Sequence, residues 1–185
     1  KQINSQYIKT QQLPQNPDKD FFYKNLGKIL IKLKRETKAK IAVFSLPVIG
    51  EDLNSPINRM VQEYCEIIRG FCKKYKLYYL PLNETQHRFL QKISDRKPSA
   101  YIKRNLIKIL SLMARRSFDR ISKINGFFLT YDGIHCNSLG AKMIEELASY
   151  FINTKQSYDE FNEEELISRT LKGLSNDLSA YALKA

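Results

Sequence analysis

The sequence predicts an α/β domain with a parallel sheet, and three observations carry that expectation. Two short apolar runs, residues 41–46 (Ile-Ala-Val-Phe-Ser-Leu) and 77–80 (Leu-Tyr-Tyr-Leu), show none of the in-out alternation of a half-exposed strand. Such runs suit strands covered on both faces. An amphipathic helical pattern precedes the first run and another separates the two. Strand, helix, strand in that rhythm is a crossover unit, and its right-handed connection makes the strands parallel neighbours.

Residues 1–18 are polar, with Pro14 and Pro17, and read as an N-terminal arm or loop. Asp18 or Asp20 can cap a helix to about Thr37. Phe22, Leu26, Ile29, Leu30 and Leu33 recur there at helical spacing, with Lys24, Lys28 and Lys32 on the other face. Pro47 and Gly50 end the first strand. Ser55 followed by Pro56 starts the second helix, serine as the cap and proline at the first helical position. Its stripe is Ile57, Met60, Val61, Tyr64, Ile67, Ile68, Phe71 and Tyr75.

Residues 84–125 read as a basic helical insertion. One helix is expected from Glu84 to about Ser94. A second is expected over 99–113, with Ile102, Leu106, Ile109, Leu110 and Met113 on one face and Lys103, Arg104, Lys108 and Arg115 beside them. Residues 126–129 (Gly-Phe-Phe-Leu) read as a further buried strand. After a short loop, Asn137 or Ser138 caps a helix to about Ile152, burying Ala141, Ile144, Leu147, Ala148 and Phe151. The main domain is therefore 19–152, and 153–185 is a linker with a C-terminal interaction helix. Asn162 with Glu165 resembles a capping box. The seam Ile167, Leu171, Leu174, Leu178 and Tyr181 is narrow, and on an isolated helix it requires a partner.

The net charge of +12 is uneven. Between His87 and Lys123 eleven basic residues face two acidic ones, about three-quarters of the excess. A basic 88–123 segment of this kind fits an acidic protein or an anionic membrane surface. Nucleic-acid binding has charge alone behind it. No apolar run reaches the ~20 residues of a membrane-spanning helix, and no signal peptide is visible. Three cysteines without metal-ligand spacing point to free thiols in a reducing compartment. The expected setting is intracellular, soluble or peripheral on a membrane, with the organelle open and the mitochondrion included. No metal-ligand or cofactor motif is present.

One loop carries chemistry. Asp132 and His135 stand three residues apart in Thr-Tyr-Asp-Gly-Ile-His, before a helix start. At that spacing a carboxylate can accept from one imidazole nitrogen and leave the other as a general base. The competing reading is a turn-capping aspartate beside a surface histidine. His87, the other histidine, reads as a surface residue. Cys136, next to His135, is a conceivable nucleophile, but as a sequence neighbour its side chain would normally point elsewhere.

The pattern Asp132-Gly133-Ile134-His135-x-Asn137-x-x-Gly140 closely resembles the last sequence block of the SGNH (GDSL-type) ester hydrolases. Residues 41–51, ending Leu46-Pro47-Val48-Ile49-Gly50-Glu51, resemble that family's strand and the turn after it. Arg116-Ser117-Phe118-Asp119-x-Ile121-Ser122-x-x-Asn125-Gly126 is similar to the lead-in to its Asp/His block. A weaker match is Asn58 with Tyr64, where Cys65 replaces the asparagine common in the family. The three main segments occur in the family's order across about 20–152.

The resemblance implies a three-layer α/β/α fold with a parallel sheet, incomplete at the N-terminus, plus a C-terminal helical extension. It also implies Ser-His-Asp hydrolysis of a carboxylic ester, with His135 as base and Asp132 as its orienter. No Gly-Asp-Ser block stands in residues 1–185. The expectation is thus a C-terminal portion whose serine and oxyanion donors lie upstream. Acyl-carbohydrate, lipid and small-ester substrates all remain open. The alternative is a non-catalytic accessory subunit of a larger, membrane-associated or soluble assembly, held through its basic segment and the 162–185 helix.

Overall fold

The structure, a computed structural model, describes residues 8–93 and 117–183, with side chains through Leu174. Helix α1 spans Lys19–Glu36, and its first turn is closed by Asp18, which accepts from the Phe21 N–H at 2.8 Å. Strand β1 is Ala42–Phe44. Helix α2, Pro56–Tyr75, starts as the sequence predicts, with the Ser55 hydroxyl as cap and proline in the first turn. It ends at Lys76 in the left-handed region, φ 53°. Strand β2 follows at Tyr78–Leu80.

The two strands pair in parallel, with Ala42 opposite Tyr78 and Phe44 opposite Leu80. The Ser45 N–H extends the ladder to the Leu80 carbonyl at 2.9 Å. Alternate side chains serve opposite faces, as a period of two requires. Ile41, Val43 and Tyr79 join a cluster with Leu30 of α1 and Ile68 and Phe71 of α2. Ala42, Phe44 and Leu80 join the larger cluster on the other side.

That larger cluster is built by the remaining helices: α3 at Leu82–Lys92, α5 at Ser138–Asn153 and α6 at Glu163–Leu183. Helix α4, Phe118–Ile124, is short and lies beside the Asp/His loop in sequence. Leu90, Met143, Leu147, Leu166 and Leu174 are all core residues of this cluster. The protein is thus mixed α/β and mostly helical, with a two-stranded parallel sheet among the described residues.

Four expectations meet a different outcome. Residues 126–129 are buried at Phe127 and Leu129, but they form no strand. Their backbone groups are taken partly by nearby turns, with the Phe127 N–H on the Ser122 carbonyl and the Leu129 carbonyl accepting from the Asn137 N–H, and otherwise by side chains. Glu51 accepts from the N–H groups of Phe128 and Leu129, Ser122 donates to the Phe127 carbonyl, and Asn137 donates to that of Phe128. With both edges already occupied, no ladder forms.

The first helix of the expected insertion begins earlier, at Leu82, and its Phe89 and Leu90 lie in the main core. The second, over 99–113, falls outside the described residues. Nor is the seam on α6 left open. Leu166, Ile167 and Leu174 are at most 2% exposed, and α6 packs on α5 and α3. Leu171 lies against the same core. Arg69 and Arg88 hold the start of α6 through Glu163 and Glu164. The side chains of Leu178 and Tyr181 lie outside the described set.

His87, lastly, is half-buried rather than on the surface, and burial pushes its pKa down. No helix among the described residues is long and apolar enough to cross a membrane.

Candidate active site

The loop between the 126–129 segment and α5 is organised by one carboxylate. Asp132 Oδ1 accepts from the backbone N–H groups of Ile134 at 2.9 Å and His135 at 2.7 Å. Its Oδ2 lies 2.7 Å from His135 Nδ1. A carboxylate can only accept, so Nδ1 carries a proton, and in the neutral form of the ring the lone pair sits on Nε2. Asp132 is buried while the His135 side chain is 58% exposed. The orienting bond is therefore shielded and the ring is open to an incoming group.

The other residues of the motif each meet a local demand. Gly133 has φ 89°, which a side chain would strain. Its carbonyl accepts from the Gly50 N–H at 2.6 Å, and its N–H reaches Thr130 Oγ1 at 3.1 Å. The Asn137 side chain caps α5 by accepting from the Gly140 N–H, while its amide donates to Ser122 and to the Phe128 carbonyl. A methyl on Gly140 would fall on the Leu129 carbonyl oxygen. Gly140→Ala should therefore cost about 3 kcal/mol through forced displacement of backbone. A melting temperature lowered by roughly 5–10 °C would show it.

The 47–52 turn braces this loop from outside. Glu51 is fully buried, and its carboxylate receives Phe128 N at 2.9 Å and Leu129 N at 2.7 Å. The turn itself is fixed by Asn58, which accepts from Ile49 N and donates to the carbonyls of Ile49 and Asp52. Gln86 of α3 accepts from Val48 N. Glu51→Ala strands two buried donors at roughly 1–3 kcal/mol each. Glu51→Gln, which keeps one acceptor oxygen, should lose less. Urea denaturation of the two variants checks the order.

Burial would raise the Asp132 pKa. The bonds from the His135 N–H, its imidazole and the Ile134 N–H outweigh it, holding the carboxyl below the usual carboxylate range. A depressed folded value stabilises the fold above the ordinary Asp pKa of about 3.9, and that stabilisation is lost as pH falls through the folded value. Asp132→Asn should accordingly flatten the acid limb of a stability-versus-pH curve below about pH 4.

The cysteines offer no thiolate. Burial pushes Cys65 up to about 11 and Cys72 to about 12, and it also raises Cys136. Among the described residues no His, Cys, Asp and Glu cluster is arranged to hold a metal ion.

The structure thus brings together both residues singled out from the sequence, Asp132 and His135. Sequence reasoning gave no role to Glu51 or to Tyr131, whose ring stacks on His135 with centroids 5.5 Å apart. A glutamate directly after a strand-ending Pro-x-x-Gly turn was the available signal for the first. Adjacency to Asp132 was the signal for the second.

Comparison with protein-family models, with curated proteins and with solved structures finds no match in any of the three.

Proposed function

We propose that this chain supplies the base and its orienter to a serine ester hydrolase of SGNH/GDSL type with a three-layer α/β/α domain. The observation that carries the reading is the 2.7 Å contact between Asp132 Oδ2 and His135 Nδ1 on an otherwise exposed imidazole. The serine and the oxyanion donors come from chain outside residues 1–185.

In the first half-reaction the serine hydroxyl attacks the ester carbonyl and His135 Nε2 takes its proton. The imidazolium then returns that proton to the departing alkoxide, leaving an acyl-serine. In the second half a water, deprotonated by the same nitrogen, releases the carboxylic acid. Asp132 stays ionised throughout, holding the tautomer and facing the positive ring. The substrate class is a carboxylic ester, whether of a carbohydrate, a lipid or a small alcohol.

The reading extends to contacts beyond the substrate. An acidic protein or an anionic membrane would meet the basic 88–123 segment, which includes Arg120 and Lys123 of α4; its Arg88 is paired with Glu164. A protein contact is also proposed for the 162–185 helix.

The test is labelling by a serine-directed fluorophosphonate of the protein expressed with the reading frame upstream of Lys1. Labelling that depends on His135 supports the hydrolase. A protein that never labels supports the non-catalytic accessory subunit instead.

A further inference from the structure

The geometry points to Tyr131 as a positioning residue that fixes the plane of the His135 imidazole, while Asp132 fixes its tautomer. This rests on the reading of His135 as a base. A single hydrogen bond leaves a ring free to rock about the bond axis, and the Asp132 contact at 2.7 Å sets no tilt. The second constraint is the Tyr131 ring. Its plane lies within 14° of the imidazole at a centroid distance of 5.5 Å, the range of offset stacking.

A positioning group must itself be held, and Tyr131 is. Its N–H donates to the His135 carbonyl at 3.0 Å, and its carbonyl accepts from Asn125 Nδ2 at 2.9 Å. A third ring, Phe118, stacks on it at 4.7 Å and 22°. Phe118 opens α4, and the next residue, Asp119, ties α4 to the start of α5. Its carboxylate accepts from Ser138 N at 2.9 Å and from Ser138 Oγ at 2.8 Å. The rings therefore form a column from a pinned helix to the half-exposed base.

Stacking of this kind needs a planar ring and not a hydroxyl, so phenylalanine should serve at position 131 and leucine should not. Productive geometry must hold to about 10–20°. A rocking imidazole should lower kcat about tenfold with KM unchanged, since misplacement by ~1 Å can cost 10²-fold.

The experiment is side-chain NMR of the labelled 185-residue chain, whose two histidines can be followed separately. Carbon relaxation reports ring motion, and ring-nitrogen shifts report the tautomer. In Tyr131→Leu the His135 ring should move with larger amplitude while Nδ1 keeps its proton. Tyr131→Phe should match the wild type. In Asp132→Asn the tautomer should change. The His87 signals show that each variant is folded. Phe118→Ala tests the same column from an exposed position without altering the loop, and it too should loosen His135.

An imidazole as ordered in Tyr131→Leu or in Phe118→Ala as in the wild type overturns the proposal. So does a Tyr131→Phe variant as loose as leucine. Because ring motion is read rather than turnover, absent fluorophosphonate labelling would remove the hydrolase reading and leave this result standing. A rigid ring in the variants would do the reverse.

Discussion

On the proposed hydrolase reading, His135→Ala should lower kcat for ester hydrolysis by about 10²–10⁴-fold with little change in KM. The loss is confined to kcat because proton removal from the nucleophile occurs only on the way to the transition state. Asp132→Asn should be comparably severe, about 10⁴-fold in a triad whose imidazole adopts the wrong tautomer.

The asparagine is the informative variant. Its Oδ1 can still accept from the N–H groups of Ile134 and His135, so the loop keeps the two bonds that shape it. What changes is the atom facing Nδ1. A chromogenic short-chain ester assayed beside the unfolding curve separates the two effects: turnover falls by orders of magnitude, while stability at neutral pH loses only what the ionised carboxylate adds beyond the two retained N–H bonds. Full activity in either variant would end the assignment of base and orienter.

Local patterns were legible in the sequence, and partners distant along the chain were not. Asp132 and His135 are three residues apart, so turn geometry alone brings them together. The parallel pairing of β1 and β2 was legible because one amphipathic helix joins two apolar runs. The 126–129 run is equally apolar, yet the N–H groups of Phe128 and Leu129 go to Glu51, 77 and 78 residues earlier. Periodicity carries no trace of that donor-acceptor match.

His87 shows the same limit. It meets a residue 25 positions earlier, Gln62 of α2, whose Nε2 lies 3.5 Å from its own Nε2. The stack of Tyr131 on His135 also needed the loop in three dimensions, because side chains four residues apart in a turn follow no fixed spacing.

The largest expected effect on stability comes from removing α6, and here the structure reverses what the sequence suggests. A narrow seam on a helix after a polar linker reads as an arm reaching for another chain, and its deletion should then leave the domain intact. Instead Leu166 and Leu174 are 0% exposed and Ile167 2%. Burying a side chain of this size stabilises by ~1.5–3 kcal/mol, so these three contribute on the order of 5–9 kcal/mol as an upper bound. That is comparable with the entire stability of a typical domain, about 5–15 kcal/mol.

Deletion also uncovers Met143 and Leu147, both fully buried, and leaves Arg69 with Glu84 alone of its two carboxylate partners. Deleting residues 162–185 should therefore abolish cooperative unfolding in a thermal melt. Leu174→Ala should cost about 2–5 kcal/mol on its own. Glu164→Gln, which loses a pair with an exposed carboxylate, should melt close to the parent. A truncated chain that melts like the parent would return α6 to the role of an outward arm.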